Sequence, residues 1–180
     1  MDYLETLRND AKLAEEFDML FDFCLLDGLE ERDTAEGRCT FSLAGKAFAR
    51  DGAGGEYHQL EDGSIGHMSS EGECGRIAES VDDLIHLFVY SICWHDYCDA
   101  SQYTDISTLE AYANERHDEI TSYTEMDVWE TVVQALSMPL EANVAAELQK
   151  FYDAAHRAPL YICYFHEDDG TVTESHNLFF

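Results

Sequence analysis

The chain has 180 residues, of which 38 are Asp or Glu and 10 are Lys or Arg, so its formal net charge is −28 at pH 7. Proteins bind nucleic acid and anionic membranes through Lys and Arg, so this composition argues against both kinds of partner. It favours a basic protein partner, because complementary fields accelerate association. The 46% hydrophobic fraction, with ten Phe and ten Tyr, excludes a disordered acidic tail and indicates one folded domain over residues 1–180.

The N-terminal segment and the cysteines indicate a cytoplasmic protein. Residues 1–5 are acidic and lack the basic and apolar regions of a secretory signal. The central segment without charged side chains, Leu84 to His95, is shorter than the roughly 20 residues needed to cross a bilayer. Six scattered cysteines without an export signal are typical of reduced thiols in a core. We therefore expect a soluble cytoplasmic protein.

The first predicted element is a single helix. Apolar residues recur every three or four positions from Leu4 to Cys24, with acids on the other face, and Gly28 provides a stop. Residues 27–36 carry five acids and are predicted to form a solvated loop.

The sequence from Gly37 to about Ala78 changes to short strands separated by glycines. Cys39 and Phe41 alternate with polar residues in a first strand, and segments 56–60 and 64–68 flank Asp62-Gly63. An Asp-Gly pair between two such segments favours a type I′ hairpin turn. We therefore predict an antiparallel meander over about 37–78.

Helical patterns return over about 80–156, where apolar residues repeat at three- and four-residue intervals. Ser80 has the spacing of a helix cap, and Ser107 and Thr124 have the same spacing before two further helices. Pro139 suits the first turn of a fourth helix.

The C-terminal segment predicts a β-hairpin. Strand-like residues 160–165 and 172–180 flank Asp169-Gly170, which is a typical turn pair. The predicted fold class is therefore α+β, in the order N-terminal helix, meander, helices and hairpin.

No segment carries a complete enzyme signature. The glycine-rich segment 51–55 lacks the Gly-Lys-Ser/Thr ending of a phosphate-binding loop, so a flexible turn explains it better. Cys74 lies in a glycine-flanked setting that favours exposure, but Glu71 and Glu73 oppose its ionisation. Among 38 acids, no catalytic carboxylate pair can be singled out. We expect no enzymatic activity, and a hydrolase using carboxylates or Cys74 is the weakest alternative.

Cys93, His95 and Cys98, together with His117, suggest a zinc site. Structural zinc sites pair two ligand elements of this kind, and the second element is missing here. Cys93 also continues the apolar face of the preceding helix. We interpret the cysteines as core residues and expect neither a metal nor a cofactor.

The distribution of charge is the most informative feature of the sequence. Between Ile77 and Gln149 there are fifteen acids and a single basic residue of the Lys or Arg type, Arg116. Soluble helices ordinarily mix both signs, because like charges destabilise one another. A surface that serves solubility and a surface that binds a basic partner both explain this pattern.

Three motifs follow one another in the segment from Phe41 to about Ile92. They are FARDGAGGEY at 48–57, LEDGSIG at 60–66 and SSEGECGRIAES at 69–80, and an apolar-faced helix follows. In this order they resemble the SUKH superfamily, which includes fungal cell-wall regulators and many bacterial toxin-immunity proteins.

The resemblance implies a single SUKH-like α+β domain that binds proteins and has no catalytic residues. Bacterial members often neutralise a toxin, frequently a nuclease. Carboxylates suit that task, because a nuclease site built to hold phosphates also accepts them. The expected function is therefore an immunity protein for a basic toxin, and the alternative is a regulatory scaffold that binds several cellular proteins.

We expect the partner-binding surface to follow the SUKH-like segment, where acids and aromatic residues cluster. Trp94 and Tyr97 are the candidate aromatic anchors, with a packed Trp94 beside merely solvated acids as the alternative. The sequence leaves the oligomeric state open. The candidate partner-binding residues are Asp82, Asp83, Trp94, Asp96, Tyr97, Asp99 and Asp105.

Overall fold

The computed structural model describes residues 2–35, 37–141 and 143–179. The helices are α1 (Tyr3–Asn9), α2 (Ala11–Phe21), α3 (Val81–Ser91), α4 (Ile106–Thr121), α5 (Met126–Ala135) and α6 (Val144–His156), with 3₁₀ turns at Trp94–Tyr97 and Ala100–Tyr103. The strands are β1 (Cys24–Glu30), β2 (Cys39–Phe41), β3 (Gly45–Arg50), β4 (Glu56–Leu60), β5 (Ile65–Met68), β6 (Cys74–Ala78), β7 (Cys163–His166) and β8 (Val172–Glu174). The predicted α+β class is confirmed.

The strands form two antiparallel sheets. The main sheet has the order β1-β3-β4-β5-β6, and the small sheet has the order β2-β7-β8. The predicted meander is confirmed for β3 to β6, but its first strand is misplaced, because β2 pairs with β7 in the small sheet. The predicted C-terminal hairpin is confirmed as β7 and β8, with Gly170 at a positive φ in the turn.

Strands β4, β5 and β6 of the main sheet are buried on both faces, whereas the edge strand β1 is largely exposed. On one face Tyr57 of β4 packs with Phe17 of α2 and Phe88 of α3 in the large hydrophobic core. On the other face Leu60 packs with Tyr161, which lies just before the small sheet. Successive side chains of a strand point to opposite faces, so β4 contributes to both layers. Helix α6 packs against β6, α3 and α4.

The N-terminal segment does not form the predicted single helix. Asp10 divides it, because its carboxylate accepts hydrogen bonds from the N–H groups of Lys12 and Leu13 and caps α2. Helix α2 ends at Asp22, whose left-handed backbone has a φ of 51°. Cys24 then begins β1, which pairs with β3 at the edge of the main sheet.

Strand β1 also replaces the first part of the predicted acidic loop. Residues 27–30 belong to β1, where Glu30 pairs with Ala47 after an irregularity in the register. Residues 31–34 carry no regular structure and Ala35 lies in a turn, as a loop requires. Glu36, the last acid of that predicted loop, lies outside the described residues.

The turn between β4 and β5 is not of the predicted type. Only Gly63 has a positive φ, of 86°, whereas a type I′ turn requires it at two residues. The N–H of Leu60 donates to the carbonyl oxygen of Ser64, which closes a three-residue loop. Gly63 therefore occupies the left-handed position of that longer loop.

The helix starts agree with the prediction only at α3. The hydroxyl of Ser80 accepts the backbone N–H of Asp83, as its spacing predicts. Further along the chain, the carboxylate of Asp105 accepts free N–H groups at the start of α4, and the side-chain oxygen of Asn143 accepts one at the start of α6. The predicted starts at Ser107, Thr124 and Pro139 are replaced by Asp105, Glu125 and Asn143.

Gly66 of β5 allows the Tyr161 ring to lie directly against the main sheet. A Cβ atom at Gly66 would overlap that ring. A side chain of any size at this position must therefore displace Tyr161.

We expect Gly66→Ala to lower the free energy of unfolding by about 1–3 kcal/mol, because an added methyl group overpacks a filled interior. Gly28→Ala is the matched control, since no atom lies within 4 Å of its new Cβ. We expect its effect to stay within about 0.5 kcal/mol. Urea unfolding measures both, and equal losses would show that the contact with Tyr161 is not tight.

Candidate functional site

The structure buries the two predicted aromatic anchors. Trp94 is 2% exposed and Tyr97 is 0% exposed, and both belong to the large core. The Trp94 ring meets the Phe151 ring edge-on, with 5.3 Å between centroids. Trp94 is therefore packed, which is the alternative that the sequence left open, and neither residue is an exposed anchor. Residues three apart in a 3₁₀ turn share one side, and here that side faces inward.

The predicted acids lie at or near the surface, and two of them have a structural role. A hydrogen bond from the Ser101 hydroxyl lowers the pKa of Asp99, and the backbone N–H of Thr108 lowers the pKa of Asp105. Both carboxylates cap the helical turns that follow them. Two further predicted acids are exposed, Asp82 and Asp96.

We call residues 79–147 the acidic helical region, since they contain the fifteen acids noted in the sequence. Four of these acids face a described cation: Asp83 and Glu147 lie at Lys150, Glu79 at Arg157 and Glu119 at Arg116. The predicted site residue Asp83 is therefore half-buried in an ion pair. The acids without an ion pair to a described Lys or Arg are Asp82, Asp96, Asp99, Asp105, Glu110, Glu115, Asp118, Glu125, Asp127, Glu130 and Glu141.

The candidate thiol and zinc residues do not form sites. The flanking glycines predict an accessible Cys74, but the residue is only 3% exposed. Burial raises the pKa of its thiol. Burial likewise raises the pKa of Cys93 to about 11 and that of Cys98 to about 12. A nucleophilic thiol needs the opposite shift. Within the described ranges, no group of three His, Cys, Asp or Glu side chains is placed to hold a metal ion.

A chain of buried polar groups joins the two sheets. Oε2 of Glu56 lies 3.1 Å from Nε2 of His58, and Nδ1 of His58 lies 2.7 Å from the hydroxyl of Tyr161. Arg32 donates to the same hydroxyl at 3.2 Å, and its guanidinium lies 4.2 Å from the centroid of the Phe41 ring. Because Glu56, His58 and Tyr161 are buried, we interpret this chain as a structural link.

Hydrogen bonds determine the charge states in this chain. Burial alone would raise the pKa of Glu56, but hydrogen bonds from His58, the N–H of Asp33 and Arg50 lower it to about 2. Burial lowers the pKa of His58 in spite of the neighbouring carboxylate. At neutral pH Glu56 is therefore ionised and His58 is neutral, so Nε2–H donates to Glu56 and Nδ1 accepts from Tyr161.

Glu56 gives the protein a specific dependence of stability on pH. Its pKa falls from 4.5 to about 2 on folding. The stability it contributes is complete above about pH 4.5 and is lost as the pH falls towards 2. We expect the difference in unfolding free energy between the wild-type protein and Glu56→Gln to shrink over this interval.

Urea unfolding at several values from about pH 6 to about pH 3 measures this difference. Glu61→Gln is the matched control, because Glu61 is an exposed acid in the turn that follows the same strand. Its difference from the wild-type protein should stay constant. A constant difference for Glu56→Gln as well would contradict the assigned role of Glu56.

A cavity of about 450 Å³ opens between the end of α2, the 3₁₀ turn after α3 and the connection from α4 to α5. We call it the interhelical recess. Two of its wall residues have a positive φ, 51° at Asp22 and 64° at Ile92. A positive φ strains the backbone of a β-branched residue such as Ile92. Strained residues of this kind are concentrated at functional sites.

Polar groups lie behind the recess wall formed by Trp94 and His95. Nε2 of His67 lies 3.1 Å from Oδ2 of Asp51, and the His67 ring centroid lies 5.3 Å from that of Trp94. His95 is exposed, but one face of its ring stacks on Trp94 at 3.6 Å between centroids. Desolvation and the nearby His67 lower its pKa to about 4, so this imidazole is neutral at pH 7. Within the described residues, the Tyr57 hydroxyl, Nδ1 of His67 and Nε1 of Trp94 are buried without a hydrogen-bond partner.

Sequence reasoning missed the recess. Asp22 belongs to the polar face of the predicted first helix, and Tyr123 and Glu125 stand beside a predicted helix start. Only the packing of α2 against α5 brings these distant segments together. The unusual backbone of Asp22 and Ile92 has no signal in the sequence, because neither residue is a glycine.

Comparison with known proteins finds no matching family model, curated protein or solved structure. The SUKH resemblance therefore depends on the motifs of residues 41–92 alone. Among the described residues, no helix has the length and apolar character needed to cross a membrane.

Proposed function

We propose that this protein is a non-enzymatic, acidic protein-binding module that neutralises a basic, nuclease-type toxin domain in the cytoplasm. The observation that supports it is the acidic helical region, in which eleven acids lack an ion pair to a described Lys or Arg. Like charges held together destabilise the fold, and a partner of opposite charge relieves their repulsion. The SUKH-like motifs support the immunity class.

The proposed mechanism uses charge in two stages. At a distance, the negative field steers a basic partner and raises its association rate. On contact, exposed carboxylates of α4 and α5, such as Glu115 and Glu130, occupy positions where the partner would hold phosphates. Binding there excludes the nucleic-acid substrate without any chemistry by this protein.

The partner is identified by affinity capture of the tagged protein from its host, washed at low and at high salt. The proposal expects one dominant basic protein at near-equal stoichiometry, whose toxicity this protein abolishes. Several weak partners of unrelated chemistry would favour the regulatory scaffold. A captured partner that stays toxic in the complex would overturn the immunity proposal.

Neutralising Glu110, Glu115 and Glu130 together, each to Gln, should slow association with the captured partner by about three- to tenfold at about 50 mM salt. These three side chains are exposed and lie in the acidic helical region. The difference should vanish near 500 mM salt, where the Debye length falls from roughly 14 to 4 Å. Stopped-flow mixing measures the rates.

The matched control removes three charges elsewhere, with Glu167→Gln, Asp168→Asn and Glu174→Gln. These residues are exposed at the β7–β8 hairpin. Both triple variants have the same net charge, so only the position of the charges differs. Equal slowing by the two variants, or rates that ignore salt, would contradict steering by the acidic helical region.

A further inference from the structure

The interhelical recess combines carboxylates with aromatic and apolar walls. Asp22 and Glu125 supply the carboxylates, and no Lys or Arg is among the described residues that line it. Met19 and Tyr123 line the same cavity and are 58% and 66% exposed, although large apolar side chains are usually covered. The recess is therefore negatively charged and open to solvent, and the Tyr123 ring and the Met19 thioether are exposed at it.

The charges around the opening reinforce this polarity. Slight burial raises the pKa of the Tyr123 hydroxyl, and the nearby carboxylate of Asp96 raises it further. Glu119 and Arg116 act on this hydroxyl with opposite signs, and they form an ion pair with each other at 2.8 Å. His95 on the wall is neutral at pH 7, since its pKa is about 4. The described residues that line the recess thus favour a cation and include no Lys or Arg.

We infer that the interhelical recess receives the guanidinium group of an arginine side chain of the basic partner. This inference rests on the proposed function and specifies where such a partner is anchored. A guanidinium is planar and weakly hydrated, so it can stack on an aromatic ring while it donates to carboxylates at its edge. A lysine ammonium fits less well, because it is strongly hydrated and does not stack.

Asp22 is held in position for this role. Its Oδ1 accepts the backbone N–H of Gly52 at 2.7 Å, and its left-handed backbone fixes the start of the side chain. Oδ2 makes no hydrogen bond to a described residue. Asp22→Asn keeps the acceptor and tolerates a positive φ, so it removes the charge with little change in structure.

The first test uses N-acetyl-arginine amide as the probe and N-acetyl-citrulline amide as its neutral isostere. The readout is the indole N–H signals in ¹H–¹⁵N NMR spectra, assigned with Trp129→Phe. Trp94 lines the recess, whereas Trp129 does not and donates to the carbonyl of Val89. We expect the arginine probe alone to shift the Trp94 signal saturably, with Kd in the millimolar range expected for one side chain.

Three variants test the residues of the recess: Asp22→Asn, Glu125→Gln and Tyr123→Ala. Each should raise the Kd of the arginine probe by at least about threefold, because each removes a charge or the exposed ring. Glu167→Gln is the control, since Glu167 is an exposed acid of the β7–β8 hairpin and lies outside both the recess and the acidic helical region. Equal shifts with the citrulline probe, or equal weakening by the control, would overturn the inference.

The captured partner supplies the second test. The Asp22→Asn, Glu125→Gln double variant should weaken its binding by about tenfold, as expected when an anchor residue is lost. Full affinity in this variant, with the salt dependence intact, would refute the recess as the site that anchors the partner and would leave the proposed function unchanged. If no basic partner is found, the proposed function fails, and the arginine titration still decides whether the recess binds a guanidinium.

Discussion

Strand β4 is buried on both faces, so the helical core and the cluster at the small sheet both pack against it. Tyr57 points into the helical core and His58 points towards the small sheet. A buried imidazole must have hydrogen-bond partners, and Glu56 and Tyr161 supply them. On the opposite face Tyr57 lies beside His67, which adjoins Trp94 at the wall of the recess. One strand thus determines both how the sheets are joined and what lies behind the recess.

The cations of the protein are used mainly to hold the sheets and their loops. Arg32, Arg50 and Arg76 bind carboxylates, carbonyls or hydroxyls around the main sheet. Few cations are left for the helices, so the acidic helical region stays unbalanced. Its repulsion reduces stability, whereas the same field attracts a basic partner. The unequal distribution of charge therefore links the architecture to the proposed function.

Local signals in the sequence predicted local structure well. The cap at Ser80 and the hairpin turn at Gly170 depend on residues within four positions of each other. The pairing of Cys39 with Phe165 joins residues more than a hundred positions apart, so no local sequence pattern predicts it. The sequence leaves open whether Trp94 is packed or exposed, because its burial depends on α6, which supplies Phe151. The recess was missed for the same reason, because packing alone assembles it.

Hydrogen–deuterium exchange of the protein alone and in complex with its captured partner shows which surface the partner covers. We expect slower exchange on binding in residues 106–135 and in the segments that form the recess, near Asp22 and Trp94. The β7–β8 hairpin, which is also exposed and acidic, should exchange at the same rate in both states. Protection confined to that hairpin or to β1, with none in α4, α5 or the recess, would show that the partner binds a different surface.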